Sequence, residues 1–90
     1  GPVMPVQIYG AKNCASCNTA KDVCDAFSID YDYLELDKDY TMSDLMDMCM
    51  ENGLALPRGF PLILDTQFKS ITIEQLRQLI LGESEWQSLK

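Results

Sequence analysis

The sequence predicts one α/β domain whose elements follow the order β-α-β, then α, then β-β-α. Three observations support this class. Short apolar runs of strand length alternate with longer segments whose apolar residues recur at helical spacing. A strand, a helix and a second strand follow one another within about thirty residues, which is typical of a parallel βαβ unit with a right-handed crossover. The 90 residues, 47% of them hydrophobic, suffice for one folded domain with a modest core.

The first βαβ unit begins with a short apolar strand, Val6–Tyr9, which Gly10 ends. A helix is predicted over Asn18–Phe27. Tyr31–Leu36, rich in aromatic and aliphatic residues, is predicted to form the second strand. Apolar residues recur in the helix at i, i+3, i+4 and i+7, so one helix face should be buried. That face comprises Ala20, Val23, Cys24 and Phe27.

The middle helix has clear start and stop signals. Thr41 and Asp44 form a capping-box pattern, and Gly53 is a natural C-terminal stop. Apolar residues between these signals form a stripe at helical spacing, which we expect to pack into the core rather than to bind a metal. The stripe comprises Met42, Leu45, Met46 and Cys49. Met48 and Met50 fall outside it and are expected to be partly exposed.

The last third of the chain predicts an antiparallel hairpin followed by a helix. The strands are predicted at Phe60–Leu64, which opens on a proline, and at Phe68–Ile71. Thr72 and Gln75 form a second capping box, so the helix should begin there and end at Gly82. Its buried face would comprise Ile73, Leu76, Leu79 and Ile80, with Trp86 and Leu89 covering the end of the core.

The charge balance and the absent residue types exclude several classes of function. The net charge is −7 and no lysine or arginine cluster is present, so we expect no nucleic-acid partner. No apolar run approaches the roughly 20 residues that span a bilayer, so we expect no membrane association. The chain has no histidine, which excludes a Ser-His-Asp or Cys-His mechanism and a histidine-ligated metal site.

The N-terminus and the cysteines favour a reducing compartment. We interpret residues 1–4 as the remnant of a cleaved expression tag plus the N-terminus, and assign residues 5–90 to the single domain. No basic region followed by an apolar core marks a secretory signal, so two structural disulfides are disfavoured and a cytoplasmic location is expected. Cys24 and Cys49 lie on predicted core faces and are interpreted as small buried hydrophobic residues.

Cys14-Ala15-Ser16-Cys17 lies between the first strand and the first helix. In a reducing compartment a Cys-x-x-Cys in this context indicates redox chemistry or metal binding. The first turn of a helix offers free backbone N–H groups and a positive dipole end, which stabilise a thiolate. We therefore expect Cys14 to be a low-pKa nucleophile. Cys17, one turn further, should be more buried and should resolve a disulfide formed on Cys14, while the Ser16 hydroxyl is a candidate donor to the thiolate.

The element order, the dithiol at the first helix start and the proline opening the third strand together resemble the thioredoxin fold. Tyr9-Gly10, Lys12, the dithiol and Gly59-Phe60-Pro61 are similar to the corresponding residues of glutaredoxins, close to the small phage-encoded type. The resemblance covers residues 6 to about 82. It implies the order β1-α1-β2-α2-β3-β4-α3, with a four-stranded mixed sheet flanked by helices. It also implies a cis Phe60–Pro61 bond that lies against the dithiol.

The resemblance further implies a glutathione-linked thiol–disulfide oxidoreductase. Such an enzyme reduces protein or mixed disulfides through Cys14 and Cys17, with glutathione as the reducing co-substrate and no bound cofactor or metal. The implied partners are glutathione and disulfide-containing proteins, with ribonucleotide reductase among the candidates. The resemblance also implies a monomer, located in the host cytoplasm if a phage encodes the chain.

Family members bind glutathione through a lysine ahead of the dithiol, the residues around the cis-proline and the N-terminus of the last helix. Lys12 and the Phe60–Pro61 backbone match the first two, and Arg58 offers a cation for a glutathione carboxylate. β-branched residues replace the family's glycines before the last helix, and Ala15 and Ser16 replace its proline and tyrosine between the cysteines. Backbone N–H groups at the helix start can still bind a carboxylate. The expected binding residues are Lys12, Ser16, Arg58, Phe60, Pro61, Ile73 and Glu74.

Two alternatives stay open at this point. The first is a thioredoxin-like electron donor, for example to ribonucleotide reductase, that a flavin reductase rather than glutathione reduces. The second is a binding module that holds an iron–sulfur cluster across a dimer through Cys14 and glutathione, which Ala15 in place of the family's proline allows. Zinc held by all four cysteines is disfavoured, because Cys24 and Cys49 are expected to face the core.

Overall fold

The structure is a computed structural model that describes residues 5–78. Its elements follow the predicted thioredoxin-like order. Residues 73–78 are helical and form the start of the last helix, α3. Within the described range, no helix combines the length and the apolar character that crossing a bilayer requires. The other elements are β1 Val6–Gly10, α1 Ala15–Ala26, β2 Tyr31–Glu35, α2 Met42–Glu51, β3 Leu62–Leu64 and β4 Ser70–Ile71.

The four strands form one mixed sheet in the order β2-β1-β3-β4. The βαβ unit is parallel as predicted, with Ile8 of β1 opposite Tyr33 of β2. On its other side β1 pairs antiparallel with β3, where Ile8 faces Ile63. The hairpin is also antiparallel, because Ile63 of β3 pairs with Ile71 of β4. The central strand β1 therefore leads straight from the middle of the sheet to the dithiol.

The sheet separates two apolar clusters. Side chains alternate along β1, so Ile8 belongs to one cluster while Tyr9 packs against the other. The first cluster joins the sheet to α1 and to Leu76 of α3, and it contains Cys24. The second joins the sheet to α2 and contains Cys49. Helices α1 and α3 thus cover one face of the sheet, and α2 covers the opposite face.

The first helix begins at Ala15 rather than at Asn18, because Cys14 itself caps it. Cys14 has extended dihedrals and its sulfur accepts from the backbone N–H of Cys17. The buried face holds Cys17, Ala20, Val23 and Cys24. Phe27, predicted on that face, is instead 47% exposed. The helix ends at Ala26, so Phe27 is the C-cap, and it lines an open cavity with Val23 and Ala26 instead of joining the core.

The second helix starts and stops where the signals predicted, but it presents a different face to the core. The Thr41–Asp44 capping box is complete, and Gly53 has a positive φ of 67° just past the helix end. Leu45 and Cys49 are buried as predicted, whereas the prediction that Met42 and Met46 face the core is wrong, since both are exposed. The partly buried Met48 packs with Leu45 and Cys49 instead, because i, i+3 and i+4 share one face.

The hairpin strands are shorter than predicted. Strand β3 begins at Leu62, since Pro61 has no N–H to donate to a ladder. Strand β4 begins at Ser70, because the Asp65 side chain accepts from the backbone N–H groups of Gln67 and Lys69 and holds the preceding residues in a turn. The Thr72–Gln75 capping box is present, with both reciprocal bonds. The predictions for Leu79, Ile80, Gly82, Trp86 and Leu89 lie outside the described residues.

Candidate functional site

The dithiol lies at the junction of the central strand and the first helix. Strand β1 ends at Gly10, the chain turns through Asn13 with a positive φ of 53°, and Cys14 then caps α1. Cys14 and Cys17 form a disulfide whose Cα atoms are 5.2 Å apart. The separation of three residues at a helix start places the two sulfurs within bonding distance, because residues i and i+3 are neighbours on a helix surface.

The two cysteines differ sharply in accessibility. Cys17 is fully buried, whereas Cys14 is partly exposed. The backbone N–H of Cys17 donates to the Cys14 sulfur over 3.1 Å, at the positive end of the α1 dipole. A negative charge on the Cys14 sulfur would therefore meet both a donor and a favourable field. The arrangement suits attack by Cys14 on an external sulfur and attack by Cys17 on Cys14.

Two tyrosines hold the backbone that precedes the dithiol, and sequence reasoning missed both. The hydroxyl of Tyr40 donates to the Gly10 carbonyl over 2.7 Å in a buried position. The hydroxyl of Tyr33 lies 3.5 Å from the Ala11 carbonyl, to which it donates. No sequence motif marks these contacts, because they join residues 22 and 30 positions apart. They fix two consecutive carbonyls in the segment that leads to Cys14.

Both tyrosines remain protonated donors over the physiological pH range. Burial raises the pKa of Tyr40 to about 12, and the neighbouring Tyr33, Tyr9 and Asp37 act in the same direction. Burial likewise raises the pKa of Tyr33, with a smaller contribution from Glu35. The Lys21 ammonium lies 4.1 Å from the centre of the Tyr33 ring, a cation–π contact that ties α1 to β2.

A groove of about 490 Å³ runs from Ser16 of α1 past the start of β3 to the N-terminus of α3. The Phe60–Pro61 peptide bond in its wall is cis, as the resemblance implied. The groove brings together most of the expected binding residues from three separate parts of the chain. These are Ser16, Arg58, Phe60, Pro61, Ile73 and Glu74.

The groove offers both signs of charge and free backbone donors. The capping box occupies the backbone N–H groups of Thr72 and Gln75. Among the described residues, the N–H groups of Ile73 and Glu74 have no protein acceptor. Arg58 and Glu74 are both exposed at its edge. A carboxylate can therefore bind Arg58 or the helix N-terminus, and an ammonium group can bind Glu74.

Lys12 and Ser16, both expected binding residues, line different cavities. Lys12 is exposed and lines a second cavity of about 340 Å³ with Ala11, Leu36 and Asp37, none of which lines the groove. The hydrogen bond that the Cys14 sulfur accepts comes from the Cys17 backbone. Ser16 itself is exposed and lines the groove.

The remaining cysteines do not join the dithiol. Cys24 and Cys49 are free and fully buried, in clusters on opposite faces of the sheet. Burial raises the pKa of both thiols, and the Asp25 charge adds to the effect at Cys24. In the part of the chain that the structure describes, no group of three cysteine, aspartate or glutamate side chains is placed to hold a metal ion.

Comparison with protein-family models gives no match for this sequence, and no curated protein matches it. What can be inferred about function therefore rests on the thioredoxin-like topology, the asymmetric dithiol and the groove beside it.

Proposed function

We propose that the chain is a thiol–disulfide oxidoreductase of the glutaredoxin type, acting through Cys14 and Cys17. One observation carries the proposal. A partly exposed Cys14 sulfur at a helix N-terminus is bonded to a fully buried Cys17. A purely structural disulfide does not require one accessible sulfur at the position where a thiolate is best stabilised.

The reaction begins with the reduced dithiol. The Cys14 thiolate attacks one sulfur of a substrate disulfide, the substrate S–S bond breaks, and one substrate thiolate leaves. Cys17 then loses its proton and attacks the Cys14 sulfur of the mixed disulfide, which releases the second substrate thiolate. The two substrate sulfurs gain two electrons and take up protons, and the protein is left with the Cys14–Cys17 disulfide. Because Cys17 is buried, it reacts with Cys14 and not with external disulfides.

Glutathione is the reductant that the groove chemistry favours. The tripeptide carries two carboxylates and one ammonium group, and the groove offers Arg58, two free N–H groups at the α3 start and the Glu74 carboxylate. Bound in this way next to Ser16, its thiol would be close to the dithiol. Successive attack by two glutathione thiolates would reduce the Cys14–Cys17 disulfide and yield oxidised glutathione.

A second candidate is an electron donor reduced by a flavin reductase, as in thioredoxin-like donors to ribonucleotide reductase. The position of Lys12 supports it, because this cation lines a different cavity from the other expected glutathione-binding residues. The β-branched Ile71 and Ile73 in the groove wall also leave less room than glycines would.

A coupled assay separates the two candidates. The oxidised protein is offered either glutathione with glutathione reductase or a thioredoxin reductase, and NADPH consumption is followed with a disulfide substrate. We expect turnover with glutathione. Turnover with thioredoxin reductase alone would favour the second candidate, and no turnover with either reductant would refute the oxidoreductase proposal. The Cys24→Ala/Cys49→Ala protein is the control, because it retains only the dithiol.

A further inference from the structure

The outer surface of α2 exposes three methionines. Met42, Met46 and Met50 are 42%, 43% and 72% exposed. Their i, i+4, i+8 spacing places them in one line along the helix, since successive residues are rotated by about 100°. We refer to these three residues as the methionine stripe. Single exposed apolar side chains are common, but three in line form a continuous apolar patch.

A row of carboxylates runs beside the methionine stripe. Asp47 and Glu51 are exposed and each follows a stripe residue by one position. Asp44 is engaged in the capping box with Thr41. The helix contains no lysine or arginine, so its outer face combines apolar and negative character without a compensating positive charge.

The fold does not need this face to be apolar. Helix α2 is anchored to the sheet through Leu45, Met48 and Cys49, and its start is fixed by the capping box. Met42 and Met46 flank this buried face and Met50 lies further round the helix, so polar residues at these exposed positions would be compatible with the fold. Methionine is flexible and polarizable, so a methionine surface can adapt to apolar side chains of different shape.

We propose that the methionine stripe and the adjacent Asp47–Glu51 row form a docking surface for a basic amphipathic helical segment of a partner protein. Apolar side chains of the segment would pack on the methionines, and its lysines or arginines would pair with the two carboxylates. The charge of the chain argues for this occupant. A second copy carries the same net charge of −7 and an anionic membrane is also negative, so both would be repelled, whereas a basic segment is attracted.

The docking surface is separate from the dithiol. Helix α2 packs on the second cluster, on the face of the sheet opposite α1. A partner bound to the stripe would therefore leave Cys14 accessible. The inference does not depend on the redox proposal, because binding can be measured with the Cys14–Cys17 disulfide intact.

The test uses a fluorescently labelled synthetic peptide with leucine on one helical face and lysine on the other. Binding to the whole chain is followed by anisotropy. We expect Met42→Gln/Met46→Gln/Met50→Gln to weaken binding by about tenfold or more, and the matched Met→Leu variant to retain it. Asp47→Asn/Glu51→Gln should weaken binding several-fold and reduce its salt dependence. The control Asp22→Asn/Asp32→Asn removes the same charge elsewhere and should have a smaller effect.

A second measurement needs no variant. In the methyl NMR spectrum, the peptide should shift the signals of Met42, Met46 and Met50 more than that of Met48, which packs against the core. The proposal is overturned if the Gln variant binds unchanged, if both charge variants weaken binding equally, or if a glutamate version of the peptide binds as well. Absence of binding at millimolar peptide, stripe-dependent dimerisation or preferential binding to anionic vesicles would also overturn it.

Discussion

Gly10 of β1 lies directly against the Tyr33 ring of β2. A Cβ atom at position 10 would lie 2.6 Å from Cζ of Tyr33, closer than real Cβ atoms approach other heavy atoms. The Tyr33 hydroxyl donates to the Ala11 carbonyl, and the Lys21 ammonium lies over the face of the Tyr33 ring. The absence of a side chain at position 10 thus lets the ring pack over the end of the strand that leads to the dithiol.

We expect Gly10→Ala to destabilise the protein by about 1–3 kcal/mol, since the ring has to move and loses its contacts. Chemical denaturation measures the change. Gly59→Ala is the control, because no heavy atom lies within 4 Å of the position of its Cβ and its cost should be small. Combining Gly10→Ala with Tyr33→Ala should cost less than the sum of the single changes. Additive costs would show that the ring is not the obstacle.

The ionisation of Tyr40 should account for part of the loss of folding stability at alkaline pH. Its hydroxyl donates to the Gly10 carbonyl, which also accepts from the Leu36 N–H, so Tyr40→Phe should cost about 1 kcal/mol at neutral pH. Above pH 10 the unfolded tyrosine loses its proton, whereas native Tyr40 keeps it until about pH 12. The unfolded state then binds fewer protons, so stability falls as pH rises, by about 2 kcal/mol at pH 12 from this group.

Denaturant unfolding across this pH range tests the expectation. Tyr40→Phe should lose stability less steeply with pH than the unsubstituted protein, and it should become the more stable of the two towards pH 12. Tyr31→Phe is the comparison variant, because the pKa of Tyr31 is also raised by burial but its side chain is only partly buried. Parallel curves for Tyr40→Phe and the unsubstituted protein would contradict the assignment.

Local signals in the sequence were sufficient where a feature depends on neighbouring residues. The Thr41–Asp44 and Thr72–Gln75 capping boxes are of this kind, and both were predicted with their partners. The parallel pairing of β1 with β2 followed from the βαβ unit, and the antiparallel pairing of β3 with β4 followed from the predicted hairpin. Cys14 was placed at the helix start, although its role as the cap moved the helix boundary to Ala15.

The sequence was insufficient where the outcome depends on distant parts of the chain. Helical periodicity predicts Met42 and Met46 on the buried face, but the sheet lies against Leu45 and Met48 instead. The spacing of apolar residues along one helix does not determine from which direction neighbouring elements pack against it. Lys12 is close to Cys14 in sequence, but sequence proximity does not reveal that it lines a cavity with Leu36 and Asp37 from the end of β2. The Tyr33 contact to Ala11 requires β2 to pair beside β1, and the Tyr40 contact to Gly10 requires the β2–α2 connection to fold back on the end of β1.

Substitution of Cys14 and substitution of Cys17 should have different effects on disulfide exchange. Cys14→Ser should abolish all disulfide exchange, because the only accessible sulfur of the pair is lost. Cys17→Ser should block reduction of protein disulfides that require the second thiol. It should retain exchange with glutathionylated substrates, where free glutathione can resolve the mixed disulfide. Equal loss of both activities in the two variants would contradict this division of roles.

Arg58 should contribute more than Lys12 to the binding of glutathione. Arg58 lines the groove beside Phe60 and Pro61, whereas Lys12 lines the other cavity. We expect Arg58→Ala to raise the KM for a glutathione mixed disulfide by about three- to tenfold with little change in kcat, because an exposed charge contributes to binding and not to the sulfur chemistry. Lys12→Ala should raise the KM less.

The exposed turn residue Lys38 supplies the matched control, since Lys38→Ala removes the same charge outside both cavities. Steady-state kinetics at two salt concentrations distinguish a direct contact between Arg58 and a substrate carboxylate from the long-range effect of the protein's overall charge. A contact between Arg58 and a carboxylate should make the KM of the unsubstituted protein salt-dependent and that of Arg58→Ala much less so. If Lys12→Ala raises the KM more than Arg58→Ala, glutathione approaches Cys14 from the Ala11–Asp37 side and the groove serves another ligand.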